Sequence, residues 1–370
     1  MRAVGLMSGT SMDGIDVALI ETDGETVSRF GASALHSYQE HEVAILRRAM
    51  EAAPALGDRT ARPGIIGKAE EVSTVLHASA VNMFLSVNGI DRGTVDVIGY
   101  HGQTILHRPQ EKLSVQLGDG AALARETGIA VVYDFRAADV AAGGQGAPLA
   151  PVFHRALAGT LDRPRPIVVL NLGGVANITF IDGENDPIAC DTGPANALLD
   201  DFMRARSGAA HDTDGEAAAK GQPDMAAIDR LLKHPFFAQR CPKSLDRNDF
   251  RAWVGAHARL AEKSVEDGAA TLTMLTAATV ARVVDVLPRA PKNWIVSGGG
   301  ARNPTLVRML KERLAGARVE TADQAGWSID ALEAQAFAFL AVRSLKGLPL
   351  TFPTTTGAPG PMQGGVLVTP

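Results

Sequence analysis

The segment Gly5–Ile20, GLMSGTSMDGIDVALI, is the part of this sequence that most constrains the fold. Apolar residues alternate before its centre, at Val4 and Leu6, and again after it, at Val17 and Leu19. This period of two predicts a pair of strands joined by a tight turn. The turn itself consists of Gly9, Thr10, Ser11, Met12, Asp13 and Gly14.

This turn has the composition of a phosphate-binding segment. It offers backbone N–H groups, two hydroxyls, and two glycines that let the backbone approach a ligand closely. The carboxylates of Asp13 and Asp16 would repel a bare phosphate, so they favour Mg²⁺ held between carboxylates and phosphates, with water completing its octahedron. From these residues alone, an ordinary hairpin in which Ser, Asp and Gly serve only the turn is an open alternative.

A strand that runs into a glycine turn occurs at two further places. Ile167–Leu170 leads to Gly173 and Gly174, and a second strand follows, as in the opening hairpin. Trp294–Val296 leads to Gly298, Gly299 and Gly300. Asn303 and Pro304 then supply an N-cap and a first helical residue. The pattern predicts two α/β halves that close on a nucleotide, with phosphates at the turns.

The remaining chain alternates between short strands and helices. Strands are predicted at Val95–Tyr100, Ile129–Tyr133, Ala176–Ile181, Ile188–Cys190 and Gly365–Val368. Helices are predicted at Val43–Met50, Glu70–Val87, Ala121–Glu126, Ala197–Arg206, Glu266–Leu287, around Leu306–Leu314 and at Asp330–Leu345. The loop Asp134–Pro151 reads as a domain junction, and the polar stretch His211–Asp249 as a lid or subunit surface.

Bulk properties exclude several classes of protein. The chain has 370 residues, enough for two domains, and a net charge of −5, which gives no basic field for nucleic acid or an anionic membrane. We expect no membrane span and no signal peptide. The two cysteines, Cys190 and Cys241, fit a reducing cytoplasm without a disulfide framework or zinc site, and Cys190 fits a small core residue.

Several motifs together resemble one known family. In order they are MSGTSMDGIDVAL, GYHGQT, DFRAADVAAGGQGAPLAP, NLGGVANIT, CDTGPANALLD, KSLDR, VSGGGARNP and LEAQAFAFLA. They resemble the anhydro-N-acetylmuramic acid kinase family of the actin/hexokinase/Hsp70-like phosphotransferase superfamily. The resemblance runs from Gly5 to the C-terminal tail, and the opening motif and the AAGGQGAPL loop are its most specific parts.

The resemblance implies an α/β, two-domain actin-like (ribonuclease H-like) ATPase fold with a nucleotide and sugar cleft between the domains. We expect an N-terminal domain of residues 1–135 plus about 346–370, and a C-terminal domain of residues 136–345. The family opens the 1,6-anhydro bridge of anhydro-N-acetylmuramic acid with water and transfers the ATP γ-phosphoryl to O6. ATP, Mg²⁺, a cytoplasmic homodimer and a role in peptidoglycan recycling are also implied, without nucleic acid or membrane partners.

Two residues match the family's catalytic positions. Asp191 follows a strand and precedes a Gly-Pro turn, so we expect it to take a proton from the attacking water. The alternative is an aspartate that only hydrogen-bonds its own turn. Glu333 matches a glutamate that the family places at the sugar, but with Asp330 it equally fits a helix capping box.

The remaining predicted contacts divide into two groups. The ATP-binding group is Gly9, Thr10, Ser11, Met12, Asp13, Gly14, Ile15, Asp16, Gly173, Gly174, Gly298, Gly299, Gly300 and Asn303, with Asp13 and Asp16 also predicted to hold Mg²⁺ through water. The substrate group is His101, Gln103, Arg136 and Asp139. Arg136 fits a fork on the sugar's lactyl carboxylate, or else an interdomain salt bridge.

The chain departs from the family pattern at three places. Ala195 stands where family members commonly have glycine, and because alanine has a Cβ we expect a negative φ at that position. The segment Lys243-Ser244-Leu245-Asp246-Arg247-Asn248 replaces a KSTGRE-like segment, and an arginine-rich stretch is reduced to Ala137-Ala138. Two other functions compete with the main prediction. One is a kinase of the same superfamily acting on another sugar or a carboxylic acid, and the other is a non-catalytic nucleotide switch.

Overall fold

The computed structural model describes residues 1–9, 12–245 and 247–370, except for the side chains of Arg247 and Asn248. The predicted ATP contacts Thr10 and Ser11, and Asp246 of the KSLDR motif, lie outside the described residues.

The described chain alternates between strands and helices along its whole length. The strands are β1 (Arg2–Ser8), β2 (Gly14–Thr22), β3 (Val27–Ser37), β4 (Val97–Arg108), β5 (Leu113–Leu117), β6 (Val131–Tyr133), β7 (Ile167–Leu172), β8 (Val175–Ile181), β9 (Ile188–Pro194), β10 (Asn293–Ser297), β11 (Arg318–Thr321) and β12 (Val366–Val368). The α-helices are α1 (Glu40–Ala52), α2 (Ile65–Val87), α3 (Gly120–Thr127), α4 (Ala137–Ala141), α5 (Pro151–Gly159), α6 (Asn196–Ser207), α7 (Glu216–Lys220), α8 (Met225–Leu231), α9 (Arg247–His257), α10 (Val265–Arg282), α11 (Pro304–Arg313), α12 (Leu332–Leu345) and α13 (Pro353–Thr356).

The chain divides into two compact units. Unit 1 comprises Met1–Thr160 and Asp330–Pro370, and unit 2 comprises Leu161–Ile329. This division differs from the domain boundaries expected after residues 135 and 345. The difference arises because α12 packs against β1, β2 and β4, so the last long helix returns to unit 1.

The sheet of unit 1 has the order β12-β6-β4-β1-β2-β3, and β5 pairs with β4. The β1–β2 pair is antiparallel, with Leu6 opposite Val17, and β2–β3 is antiparallel as well. By contrast, β1–β4 and β4–β6 are parallel. The opening segment therefore forms the predicted strand pair at the centre of this sheet.

The sheet of unit 2 repeats this design in the order β11-β10-β7-β8-β9. An antiparallel meander, β7-β8-β9, is followed by the parallel pairs β7–β10 and β10–β11. Both sheets thus begin with three antiparallel strands and continue with parallel ones. The prediction of an α/β fold with two similar halves is confirmed, and the topology is that of the actin-like fold.

Each unit has its own apolar core. In unit 1, β1, β2 and β4 pack against α2 through Val4, Ile15, Val81 and Tyr100, all nearly or fully buried. In unit 2, the core gathers around α10 and includes residues of the stretch His211–Asp249. Phe236, Phe237 and Ile228 of this stretch are buried there, so the stretch packs onto unit 2, and its role as a lid or subunit surface stays a prediction.

Helix Val265–Val286 of unit 2 is the one helix among the described residues that is long and apolar enough to cross a membrane. Of its most apolar window, 72% is buried inside the protein. This burial is what the core helix of a folded domain shows, so the length and composition of the helix carry no membrane assignment.

Candidate active site

The β1–β2 turn is held in place by Gln103 in the middle of β4 and by Tyr38, which follows β3. Gln103 is fully buried, donates from Nε2 to the carbonyl of Gly9 over 3.1 Å, and accepts from the Ser8 hydroxyl. The Ser8 hydroxyl also lies 2.9 Å from that of Tyr38, whose backbone N–H donates to the carbonyl of Asp13. Gln103, predicted to contact substrate, thus lies beside the predicted ATP turn. Ser8 belongs to the opening motif but is not among the predicted site residues, and Tyr38 lies in none of the motifs.

Met12, Gly14 and the adjoining Ile15 fix the shape of this turn: Met12 and Ile15 bury their side chains, and Gly14 has no room for one. Met12 has a φ of +55° and packs its side chain into an apolar cluster, while its N–H donates to the carbonyl of Gly9. Ile15 is fully buried in the core. A Cβ on Gly14 would lie 2.5 Å from the carbonyl oxygen of His36. Only their backbones are therefore suited to contact a nucleotide.

Four carboxylates of unit 1, which we call the acidic group, influence one another: Asp13, Asp16, Asp330 and Glu333. Desolvation raises the pKa of Asp16 to about 7, and the negative charges of Asp13, Glu333 and Asp330 add to this rise. A bound cation stabilises the negative charge that is concentrated around a half-buried carboxylate. The donor set therefore fits Mg²⁺, which prefers oxygen ligands.

The protein side chains alone do not complete a metal site. Within residues 1–9, 12–245 and 247–370, no group of three or more His, Cys, Asp or Glu side chains has a metal-binding arrangement. Mg²⁺ usually binds through one or two carboxylates and retains waters and substrate phosphates. The acidic group is consistent with that mode of binding.

The helix cap predicted for Glu333 is wrong. Helix α12 begins at Leu332, its N-cap is Ala331, and no side chain caps it. The carboxylate of Glu333 is accessible to solvent, yet desolvation by the surrounding protein raises its pKa, Arg136 lowers it, and Asp13 raises it further. Glu333 is therefore placed by α12 in the acidic group, with Arg136 as its positive neighbour.

Arg136 is fixed from two sides within unit 1. Its Nη1 donates to the carbonyl of Gly146 over 2.7 Å, and its Nη2 lies 2.8 Å from Nε2 of His101. Burial and the charge of Arg136 hold the pKa of His101 well below its ordinary value, so the ring is neutral and accepts this hydrogen bond. Glu333 and Asp139 raise the pKa of Arg136, which burial lowers to about 10. These charged neighbours all belong to unit 1.

Asp139, a predicted substrate contact, is buried in a network with the C-terminal segment. Its Oδ1 accepts from the backbone N–H of Gly146 over 2.6 Å. Its Oδ2 accepts from the hydroxyls of Thr351 and Thr356, the latter over 2.7 Å. With 2% of its surface exposed, Asp139 is arranged to fix the AAGGQG loop to the C-terminal segment, which supports a structural role in place of a substrate contact.

A cavity of about 230 Å³ lies in unit 1 beside the middle of β4 and the carboxyl ends of β5 and β6. Its wall includes two charge pairs, Arg59 with Asp134 and Arg62 with Glu70, the latter at 2.7 Å. Asp134 begins the DFRAADV motif but is not a predicted site residue, and Arg59, Arg62 and Glu70 lie in none of the motifs. The paired charges favour a neutral polar ligand over a phosphate.

In unit 2, Asp191 lies on the edge strand β9 and is held by a neighbouring segment of chain. Its backbone N–H donates to the carbonyl of Lys243 over 2.9 Å, and its Oδ2 accepts from the backbone N–H of Leu245 over 2.8 Å. Desolvation raises the pKa of Asp191 to about 6, although the Leu245 bond and the Lys243 charge each lower it. The carboxylate is thus half-buried and oriented, and its pKa of about 6 lies close to neutral pH.

Lys243 is itself fixed by its surroundings. Its Nζ donates to the carbonyl of Phe236 over 3.1 Å and lies 4.4 Å from the centre of that ring. Burial lowers the pKa of Lys243 to about 8, and Asp191 raises it. The segment that departs from the family's KSTGRE pattern therefore still provides two contacts to Asp191.

A disulfide joins Cys190 to Cys241, with 5.4 Å between their Cα atoms. This contradicts the expectation that the chain forms no disulfide, whereas Cys190 is buried in the core of unit 2 as expected. Sequence spacing could not show the pairing, because 51 residues separate the two cysteines. The bond links β9, immediately before Asp191, to the segment that contacts Asp191.

The glycine turns of unit 2 converge on the start of α6. The carbonyl of Gly173 accepts from the backbone N–H of Asn196 over 3.0 Å, and the carbonyl of Gly174 accepts from Ala195 and Ala197. The Asn196 side chain donates to the carbonyl of Leu172. These bonds give the predicted phosphate turn a fixed shape.

The second glycine turn lies next to the first. Gly298 has a φ of +75°, and a Cβ there would lie 2.3 Å from Oδ1 of Asn171. A Cβ on Gly300 would lie 2.7 Å from the Leu172 side chain, whereas Gly299 has only Asn196 within 4 Å. Asn303 caps α11 through Leu306, as predicted, so its Oδ1 is already engaged.

The alanine that departs from the family pattern is accommodated. Ala195 has a φ of −132°, so the expected negative φ is confirmed, and its methyl group is buried. Gly193 could not be replaced in this way, since a Cβ there would lie 2.5 Å from the Thr279 hydroxyl of α10.

Comparison with known proteins gives matches along the whole chain. The family model described as anhydro-N-acetylmuramic acid kinase matches residues 1–370. Relatives named "Anhydro-N-acetylmuramic acid kinase" from Azorhizobium caulinodans and Nitrobacter winogradskyi are 61% and 57% identical over 370 residues. Each of these comparisons covers 100% of both proteins.

Solved structures give weaker similarity. The activator of the 2-hydroxyisocaproyl-CoA dehydratase from Clostridium difficile with bound ADPNP has a TM-score of 0.45 and 13% identity, covering 94% of this chain and 96% of that one. A ROK family glucokinase from Streptomyces griseus in complex with glucose and AMPPNP has a TM-score of 0.41 and 15% identity, covering 92% and 99%. These similarities are too weak to carry a functional conclusion.

Proposed function

The chain belongs to the anhydro-N-acetylmuramic acid kinase family, and we propose that it phosphorylates 1,6-anhydro-N-acetylmuramic acid at O6 with ATP while water opens the anhydro bridge. The products are N-acetylmuramic acid 6-phosphate and ADP. The reaction returns a sugar released from peptidoglycan to metabolism.

The observation that carries this proposal is the state of Asp191. A general base works best when its pKa lies near the operating pH, and burial raises the pKa of Asp191 to about 6. The Leu245 N–H fixes Oδ2, which leaves Oδ1 to take a proton from water. A carboxylate held in this way on an edge strand is suited to activate a nucleophile.

One base serves both bond changes. Asp191 takes a proton from water as the water oxygen bonds to C1 of the sugar, and the C1–O6 bond breaks. The electron pair of that bond stays on O6, which attacks the γ-phosphorus and displaces ADP. Opening of the bridge thus supplies the nucleophile for phosphoryl transfer, and no second base is needed to deprotonate O6.

The β1–β2 turn and the Gly173–Gly174 turn provide the surroundings for the phosphates. Backbone N–H groups in such turns stabilise the charge that spreads over the phosphoryl oxygens. The acidic group, through Asp13 and Asp16, would hold Mg²⁺ by way of water, and this ion neutralises phosphate charge when bound. The Gly298–Gly300 turn and Asn303 are proposed to border the nucleoside.

The substrate's carboxylate is proposed to bind Arg136. Each Nη atom of this residue makes one hydrogen bond, to Gly146 and to His101, and each carries a second N–H. Two N–H groups of one guanidinium can engage a carboxylate together, which gives directional recognition. Glu333, next to Arg136, is proposed to accept a hydrogen bond from a sugar hydroxyl.

The cellular setting follows from the family. We infer a cytoplasmic homodimer that recognises a small molecule and binds neither nucleic acid nor membrane. The net charge of −5 supports the last two points, because it provides no general attraction for phosphodiester backbones or anionic lipids.

Product mass in labelled water tests the proposal. The protein is incubated with ATP, Mg²⁺ and anhydro-N-acetylmuramic acid in H₂¹⁸O, and the product is analysed by mass spectrometry. We expect the substrate mass to increase by one phosphoryl group and one water, with the heavy oxygen at C1.

Other outcomes separate the competing functions. Addition of phosphoryl without water would make the protein a simple kinase of the same superfamily. ATP hydrolysis without sugar phosphorylation would favour the nucleotide switch. Asp191→Asn should slow sugar turnover by about 10²–10⁴ while ATP still binds, and Asp229→Asn, at an exposed position of α8, is the matched control.

A further inference from the structure

We propose that Cys190 and Cys241 form a reversible redox-modification site that controls how firmly Asp191 is held, with a low-molecular-weight disulfide as its oxidant. The proposal rests on the proposed function in one respect, since it takes Asp191 as the base. The formation of the bond and its effect on local structure can be measured independently of activity.

The cysteine pair is placed where it can influence the base. Cys190 immediately precedes Asp191 on β9, and Cys241 lies two residues before Lys243. The carbonyl of Lys243 and the N–H of Leu245 are the two backbone groups that bond to Asp191. The disulfide therefore connects the strand that carries the carboxylate to the segment that orients it.

Without this covalent link, two distant parts of the chain meet through weaker contacts. β9 is the edge strand of its sheet, so the segment 241–245 is held there by a few hydrogen bonds and not by a full strand pairing. The two cysteines are 51 positions apart in the sequence, and bringing the ends of this stretch together for these bonds to form has an entropic cost. The disulfide removes most of this cost in advance.

The two sulfurs differ in accessibility, which sets the order of exchange. Cys190 is 3% exposed, whereas Cys241 is partly exposed. The Cys241 thiolate attacks the external disulfide, forms a mixed disulfide and releases one thiolate. The Cys190 thiolate then attacks the Cys241 sulfur and releases the second. Overall, two protein thiols and one external disulfide give one protein disulfide and two external thiols.

Such a bond is suited to a reducing compartment only if it is transient. Disulfides in the cytosol are usually short-lived and redox-sensing. The disulfide would therefore be formed under oxidising conditions and broken under reducing ones. The chain contains only these two cysteines, so every thiol-dependent change in the protein must originate at this pair.

The test compares oxidised and reduced forms of the same protein. The protein is treated with oxidised glutathione or with a reducing dithiol, and intact mass identifies each form by a difference of two hydrogens. We expect kcat/KM to be about fivefold lower in the reduced form, the equivalent of one weakened hydrogen bond. We also expect its acid limb to move to higher pH, since the Leu245 bond lowers the pKa of Asp191.

Hydrogen exchange gives a readout that does not depend on turnover. The amides of Asp191 and Leu245 should lose protection on reduction, whereas amides of β1 should not change. If neither form turns over the sugar, the proposed function fails, and the exchange data still decide whether the bond holds this segment.

Variants complete the test. Cys241→Ser should behave as the reduced enzyme in both redox conditions, and Cys190→Ala should do the same if it folds. The proposal is overturned if oxidation does not form the bond, or if the bond forms and leaves the pH profile and amide protection unchanged. It is also overturned if Cys241→Ser still responds to redox conditions.

Discussion

The backbone N–H of Leu245 donates to Oδ2 of Asp191 over 2.8 Å, although 54 residues separate the two in sequence. The bond fixes the carboxylate from outside its own strand. It also lowers the pKa of Asp191, which burial raises more strongly. The orientation and the proton affinity of the proposed base thus depend on a segment that no local motif around Asp191 includes.

Replacing the carboxylate of Asp191 should remove general-base catalysis. For Asp191→Asn we expect kcat to fall by about 10²–10⁴, the usual contribution of a positioned base. Binding of ATP should change little, since the side chain is nearly isosteric. Steady-state kinetics and nucleotide titration measure both quantities. A loss of ATP affinity comparable with the loss of kcat would contradict the assignment of Asp191 as the base.

The activity should depend on pH through the same residue. Asp191 must be ionised to accept a proton, and its pKa is raised to about 6. We therefore expect kcat/KM to rise with pH and to level off above about pH 7. The measurement is a pH profile at constant ionic strength. A profile with its acid limb near pH 4, the ordinary range of an exposed aspartate, would contradict this prediction.

The charge on Asp191 should also reduce the stability of the fold. Its pKa is about 6 in the folded state against an ordinary value of 3.8, so the folded protein binds this proton more tightly. The free energy of unfolding therefore falls as the pH rises from about 4 to 6, and this loss of stability has reached its full size above about pH 7.

Asp191→Asn removes this loss of stability, so at pH 7.5 the free energy of unfolding of the variant should exceed that of the parent by up to about 3 kcal/mol. The gain should shrink below pH 6 and vanish below pH 4. Urea unfolding at several pH values measures it, and Asp229→Asn should show no such trend. A variant that is less stable than the parent at pH 7.5 would argue against a desolvated carboxylate.

The sequence was sufficient for elements with a clear period. The hairpin β1–β2 and helices α2 and α12 lie close to their predicted ranges, since alternation and helical spacing mark buried faces. The strand β3 gave no such signal because its side chains, including Leu35, are largely exposed. β4 extends past Tyr100, where the predicted strand ends, and Gly102 adopts a φ of +73° within it.

The candidate site was predictable where residues lie in one motif and not where they meet across the chain. Asp191 and Glu333 could be selected from the family resemblance. Leu245 and Lys243 lie in the KSLDR motif, but their contact with Asp191 could not be predicted, because it depends on how the segment 241–245 packs on β9. The capping box at Asp330 was wrong because the helix begins two residues later, which the local pattern does not determine.

The network around Asp139 should affect stability and not substrate binding. Thr356→Val removes one of the hydroxyls that donate to the buried carboxylate and keeps the side-chain shape. We expect the free energy of unfolding to fall by about 1–3 kcal/mol, because an acceptor is left partly unsatisfied. KM for the sugar should change less than twofold. Thr356→Ser keeps the hydroxyl and is the control. A large rise in KM without loss of stability would indicate that Asp139 contacts the substrate.

The close packing of α12 on the sheet should make Gly99 irreplaceable. A Cβ at this position would lie 2.0 Å from the carbonyl oxygen of Phe337, and a Cβ at Gly5 would lie 1.7 Å from that of Ala334. Both obstacles are backbone atoms, which cannot move unless the helix moves. For Gly99→Ala we therefore expect a loss of about 3 kcal/mol or more in the free energy of unfolding, at the upper end for overpacking.

The same substitution should reach the site, because α12 carries Glu333 at its first turn. Displacement of the helix would move this carboxylate away from Arg136, so kcat/KM should fall even under conditions in which the variant is folded. Gly57→Ala is the matched control, since no atom lies within 4 Å of its added methyl group, and we expect a change below about 0.5 kcal/mol. If Gly99→Ala were as stable and as active as Gly57→Ala, the contact between α12 and β4 could not be as close as described. The position of Glu333 would then need another explanation.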